Sequence, residues 1–252
     1  RAEELYQQAI SLARDIGDKR VQGSTLYLLG SVDLNQGDLS SSQEHLREAI
    51  TLFQEMGNRR GEAWSLLTLG TALARGDDIA GGRQLVERAL EMCRELGDKW
   101  AEPWCLRALG EIALLERDLL EAEKNYQEAL SKSHSTGDRG ILPELYRGLA
   151  EVYLGKGQAS QALEYAASAR EAVAEDDVYS QATTWRVQGM ALLASGQHGE
   201  AEDSFKRSVE VLEGSGFRPE LARNYREYAR FLEELGREEE AASMRTRASG
   251  LI

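Results

Sequence analysis

An all-α solenoid of antiparallel helix pairs, about six full repeats behind a leading half-repeat, is the fold class this sequence predicts. Three observations carry the prediction. Apolar and small residues step by three or four along most of the chain, as in Leu106, Leu109, Gly110, Ala113, Leu114 and then Leu119, Ala122, Tyr126, Ala129, Leu130, the spacing that lines one face of a helix. Small residues return at Gly30, Gly70, Gly110, Ala150, Gly189 and Ala229, at intervals of 40, 40, 40, 39 and 40. Glycine followed by Asp or Asn closes one periodic run and opens the next, at Gly17-Asp18, Gly37-Asp38, Gly57-Asn58, Gly97-Asp98 and Gly137-Asp138.

Each element follows from these signals. A helix over 2–16 stands first, with Ala2, Tyr6 and Ala9 in the register of a repeat's second helix. Gly17 then supplies the left-handed stop and Asp18 the next N-cap. Full repeats are expected over about 19–56, 59–96, 99–136 and 139–174, split by turns such as Gly37-Asp38, Gly76-Asp77 and Glu116-Arg117-Asp118. Pro103 and Pro143 mark where the first helices of the third and fourth repeats begin or kink. Glu175-Asp176-Asp177 joins the fourth repeat to a fifth over 178–213, and Pro219 opens the sixth.

The second helices repeat one register, a small residue, another residue four on, and a small one three further: Ser42, Leu46, Ala49; Gly82, Val86, Ala89; Ala122, Tyr126, Ala129; Ala162, Ala166, Ala169; Ala201, Phe205, Ser208; Ala241, Arg245, Ala248. A glycine inside a helix costs about 1 kcal/mol against alanine. Its recurrence at 30, 70, 110 and 189 therefore predicts close helix contact.

Leu-Gly, a bulky residue three on, and then Ala-x3-aromatic-x2-Ala together resemble the tetratricopeptide repeat. That family's usual period is about 34 residues. The 40-residue unit ending in Gly-Asp-Lys or Gly-Asn-Arg resembles the subclass found in spindle-orientation adaptors, kinesin light chains and the sensor arms of bacterial signalling ATPases and transcription regulators. Departures include Leu26, Leu66 and Leu106 where the later repeats carry Tyr146, Trp185 and Tyr225, and Arg245 in place of the last aromatic. The resemblance implies a right-handed superhelix whose first helices line a concave groove. It further implies a cytoplasmic, non-enzymatic module that binds a protein or peptide there. We read residues 1–252 as a single such domain cut from a longer protein, whose other domains are candidate partners.

Composition narrows the partners. With 30 Lys and Arg against 43 Asp and Glu, the net charge is −13, which disfavours direct contact with nucleic acid or anionic lipid. No run approaches the ~20 apolar residues that span a bilayer. Walker A, Gly-x-Ser-x-Gly, His-Glu-x-x-His and Cys-x-x-Cys signatures are missing, so neither catalytic residues, metal nor cofactor is expected. Cys93 and Cys105 read as a reduced core pair, and Arg75-Gly76-Asp77 as an inter-helix turn.

Arginine repeats in one register. Three residues before the small positions stand Tyr27, Leu67, Arg107, Arg147, Arg186 and Arg226; one residue after them stand Ser31, Thr71, Glu111, Glu151, Met190 and Arg230; six before them, Ser24, Trp64, Trp104, Glu144, Thr183 and Arg223. If these line the groove, Tyr27, Trp64 and Trp104 offer aromatic surface, and Arg186, Arg223, Arg226 and Arg230 an arginine cluster. Arg107 with Glu111 and Arg147 with Glu151 can pair within a helix for about 0.2–0.5 kcal/mol. Arg186 faces Met190 and Arg226 faces Arg230 at that spacing, which leaves both for the carboxylates of an acidic partner.

Overall fold

The structure, a computed structural model, describes the backbone of residues 2–251 and the side chains of 5–251. Arg1, Ile252 and the Ala2 side chain of the leading register lie outside the described residues. Among those described, thirteen helices follow one another: α1 (Ala2–Ile16), α2 (Lys19–Gln36), α3 (Leu39–Glu55), α4 (Arg59–Arg75), α5 (Ile79–Leu96), α6 (Ala101–Leu115), α7 (Leu119–Thr136), α8 (Leu142–Gly155), α9 (Ala159–Ala172), α10 (Val178–Ala194), α11 (His198–Glu210), α12 (Arg218–Glu234) and α13 (Glu238–Ser249). They form two compact units, residues 1–118 and 119–252.

The turns work as their chemistry demands. Gly17, Gly37, Gly57, Gly97 and Gly137 all take φ between 65° and 82°, where a side chain would be strained. The next residue's side chain caps the following helix: Asp18 accepts from the Arg20 and Val21 amides, Asp38 from Ser41, and Asn58 from Gly61. Three turns depart from expectation. After Gly97-Asp98 and Gly137-Asp138 the N-cap positions of α6 and α8 fall to Trp100 and Ile141, which make no side-chain cap bond. Gly76 is not left-handed; Asp77 takes that role at φ 72°, and the cap falls to Asp78, which accepts from the Gly81 amide at 3.0 Å. Pro103 and Pro143 sit in the first turns of α6 and α8, so these helices begin there.

Within each unit, hairpins stack through the predicted register. Leu46, Val86, Tyr126, Ala166 and Phe205 are buried, as are Ala49, Ala89, Ala129, Ala169 and Ser208. Burying each of the larger side chains contributes about 1.5–3 kcal/mol. One close backbone approach lies between α4 and α5: a Cβ on Gly70 would stand 2.7 Å from the Gly82 carbonyl oxygen, and one on Gly82 2.5 Å from that of Gly70. These two backbones meet because neither residue carries a side chain.

Ion pairs tie each repeat to the next at separations of 33–38 residues. They join Arg14 to Glu48, Lys19 to Glu55, Arg59 to Glu95, Arg60 to Asp98, Arg75 to Glu111, Lys156 to Glu123 and Arg237 to Glu202. Exposed pairs contribute little individually, yet the recurrence fixes which carboxylates a given arginine can reach.

The first helices of successive repeats touch, α2 with α4, α4 with α6, α8 with α10 and α10 with α12. Elements on the inner side of a curved stack approach most closely. That makes the first helices the inner face of each unit.

Candidate partner-binding surface

The first helices of residues 1–118 carry aromatic side chains at one end and charged ones at the other. Tyr27, on α2, is half-buried and reaches the side chains of Ser31 and Thr68, and burial raises its hydroxyl pKa. Trp64 on α4 and Trp104 on α6 are half-buried, with ring centroids 6.3 Å apart and planes tilted by 57°. A groove of about 430 Å³ runs past Ser24, Tyr27, Leu28, Phe53, Asn58, Arg60, Gly61 and Trp64. Arg107 is buried and donates from Nη1 to Glu111 Oε2 at 2.9 Å, while Glu111 Oε1 accepts from Arg75 Nε at 2.8 Å.

In residues 119–252 the register builds a chain of alternating charge. On α8, Arg147 Nη1 donates to Glu151 Oε1 at 3.2 Å. Glu151 Oε1 lies 3.6 Å from Arg186 Nη2 on α10, and that same nitrogen lies 3.2 Å from Glu220 Oε1 on α12. Arg186 Nη1 also points at Met190 Sδ, 3.8 Å away.

This corrects the expectation that Arg186 has no carboxylate. Its partners come from the helices before and after its own, which intrahelical spacing does not reveal. Only 1% of Arg186 is exposed, so it ranks among the largest fully buried side chains. Arg230 requires a second correction: it pairs with Glu227 at 2.9 Å, one turn back, and does not stand against Arg226 alone.

The three clustered guanidiniums differ electrostatically. Burial works against the charge of Arg147, but Glu151, Tyr179 and Glu144 outweigh it and its pKa rises. Arg223, on α12, also rises, because Glu151 and Glu220 overcome its desolvation. Arg186 goes the other way: burial first and Arg223 second lower its pKa against the pull of Glu220 and Glu151. An arginine stays protonated regardless, so the lowering registers positive charge that its surroundings do not fully compensate.

Arg223 and Arg226 are exposed and make no ion pair among the described residues. They sit three apart on α12, on neighbouring positions of one helix face. The structure thus brings Arg147, Glu151, Arg186 and Arg223 together and leaves Arg230 on the surface. Glu220 completes the cluster and was missed from sequence, where it reads as an ordinary acidic residue of a helix's first turn.

Other candidates have structural roles. Cys93 and Cys105 are buried free thiols in one core; Cys105 hydrogen-bonds Cys93, and that contact with burial pushes its pKa up. Among the described residues, no group of three or more His, Cys, Asp or Glu could hold a metal, and no helix is long and apolar enough to cross a membrane.

Comparison with protein families finds the tetratricopeptide repeat model over residues 61–132, 141–214 and 180–250. No curated protein matches the chain in sequence. Among solved structures, a Rap protein complexed with Competence and Sporulation Factor is similar at a TM-score of 0.83 and 16% identity, over 99% of this chain and 69% of that one. The apo form of the quorum sensor NprR from B. thuringiensis is similar at 0.65 and 14%, over 99% and 82% of the two chains. A Signal Transduction ATPase with Numerous Domains protein with a tetratricopeptide repeat sensor, from Pyrococcus horikoshii, is similar at 0.63 and 16%, over 98% and 40%. At such identities the likeness carries the fold alone.

Proposed function

The chain belongs to the tetratricopeptide repeat family, and on that premise we propose that it is a non-enzymatic interaction module whose inner face binds a segment of a protein partner. The reading takes that partner to be a carboxylate-bearing peptide and the setting to be cytoplasmic. One observation carries it. Arg223 keeps an exposed side chain with no ion pair among the described residues, near Glu151 and Glu220 and beside a buried Arg186 whose charge it disfavours. A carboxylate arriving at Arg223 would gain a charge-assisted hydrogen bond and relieve that repulsion at the same time. Arg226 extends the same surface by one turn. Glu220 and Glu151, itself held by Arg147, keep Arg186 in place behind them, while Trp64, Trp104 and Tyr27 offer apolar contact on the inner face of residues 1–118.

Selection of a random-peptide library on the immobilised chain tests this. Recovered peptides should be rich in Asp or Glu or end in a free carboxylate, and should bind R223E/R226E at least roughly tenfold more weakly. Peptides without acidic bias, or unchanged affinity in the variant, would refute the carboxylate reading.

A second reading makes the chain the sensor arm of a multidomain regulator. Its likeness to the sensor-bearing signal-transduction ATPase and to NprR supports this. The two readings separate on the full-length gene: a P-loop ATPase or DNA-binding domain in the same protein favours the sensor, further repeats an adaptor.

A further inference from the structure

A different cluster lies away from the inner face. Trp185 projects from α10 between the outer helices α9 and α11, and two guanidiniums stack on its ring: Arg170 Cζ is 4.4 Å from the centroid and Arg207 Cζ 4.8 Å. The indole itself is half-buried, whereas both arginines are exposed.

Most arginines of the other outer helices meet a carboxylate: Arg14, Arg83, Arg88, Arg94 and Arg245 each pair with a glutamate, while Arg47 on α3 donates to Gln43. Arg170 donates only to the Gln188 side-chain oxygen, at 3.1 Å, and Arg207 has neither a hydrogen bond nor an ion pair among the described residues. In a chain of net charge −13, two unneutralised guanidiniums on one ring are an exception to the surface around them.

We propose that Arg170, Trp185 and Arg207 form a second, outer-face site that takes an oxyanion, carboxylate or phosphate, carried by a segment of a protein partner. Stacking occupies the faces of a guanidinium and leaves its N–H edges free for in-plane, bidentate contact. The ring also fixes two long side chains in advance, which reduces the entropy lost on binding. A cleft of about 210 Å³ lined by Ala167, Arg170, Glu171 and Gln188 adjoins the stack and gives the segment a place to lie. Glu171 lines the same cleft and makes no ion pair with Arg170 among the described residues.

Titration calorimetry on the full chain tests the site with three probes: a hexaglutamate peptide, an otherwise uncharged phosphoserine peptide, and inorganic phosphate. At least one peptide should bind. Measured in an R223E/R226E background, which removes the inner-face arginines, its affinity should fall at least roughly tenfold on adding R170Q/R207Q and several-fold on adding R170K/R207K, where charge remains but the planar fork is lost. The tighter peptide identifies the oxyanion, and phosphate alone should bind more weakly than either. Failure of both peptides to bind R223E/R226E, or affinity within twofold after adding R170Q/R207Q, would overturn the site. Peptide binding by the parent that is lost in R223E/R226E alone would assign the peptide to the inner face, overturning this site while leaving the proposed function standing.

Discussion

Replacing Gly82 with alanine sets helix propensity against packing, and the structure says which wins. Propensity alone favours alanine by about 1 kcal/mol. The new Cβ, however, would lie 2.5 Å from the Gly70 carbonyl oxygen and 2.9 Å from both the Ala74 amide nitrogen and Cβ. Two of these three atoms are backbone, locked in the hydrogen bonds of α4, so no rotamer change relieves them. Helix α5 would have to withdraw from α4, disturbing Val86, which fills the space beside Gly70. Overpacking of this kind costs about 1–3 kcal/mol, and with unyielding atoms the upper end applies. The net expectation is a loss of about 2 kcal/mol. Gly199, in the first turn of α11, provides the contrast: a Cβ there meets nothing within 4 Å, so G199A should gain about 0.5 kcal/mol. Urea unfolding followed by far-UV circular dichroism measures both, provided the m-value holds. If G82A proves as stable as the parent, α4 and α5 do not meet as described.

Three further outcomes follow from the structure. Arg117 takes φ 63° where the corresponding turns use Gly37, Gly157, Gly196 and Gly236; R117G should therefore stabilise the chain by about 1 kcal/mol, read as a higher melting temperature. Removing Glu220 leaves Arg186 buried with only the more distant Glu151, so E220A should cost about 3 kcal/mol in urea unfolding, whereas E220L/R186M, which replaces both partners by apolar side chains, should stay within about 1 kcal/mol of the parent. Hydrogen bonds from Arg237 and Lys206 hold the Glu202 carboxyl at about 2, below its ordinary 4.5. Its stabilising effect is complete above the ordinary value and fades as pH falls towards 2. The stability gap between parent and E202Q should accordingly narrow over that window; a gap constant down to pH 3 would contradict the assignment.

Much of the fold was legible because a repeat states its own register several times. The small residues at 30, 70 and 189 announce close approaches, and the glycines at 17, 37, 57, 97 and 137 do stop helices. The Gly76 turn misled because the glycine that names it is not the left-handed residue; in Gly-Asp-Asp the first aspartate takes that conformation and the second caps. The charged cluster was half legible. Arg107 with Glu111 and Arg147 with Glu151 follow from i,i+4 spacing, but Arg186 was judged against its own helix, and its partners Glu151 and Glu220 lie about one repeat away on either side. The same separation joins Arg75 to Glu111 and Arg237 to Glu202. Scanning charged pairs at one repeat's distance would have found Glu220, which looked like an ordinary first-turn acid beside Pro219. The stack of Arg170 and Arg207 on Trp185 had no such signal, because it joins three helices through ring geometry.

The central claim is that the first helices form the face that receives a partner. Hydrogen exchange on the chain with a library-selected acidic peptide tests it most directly. The account predicts slowed exchange in α8, α10 and α12, centred on the turns that carry Arg147, Arg186 and Arg223. Protection confined to α9, α11 and α13 would contradict it.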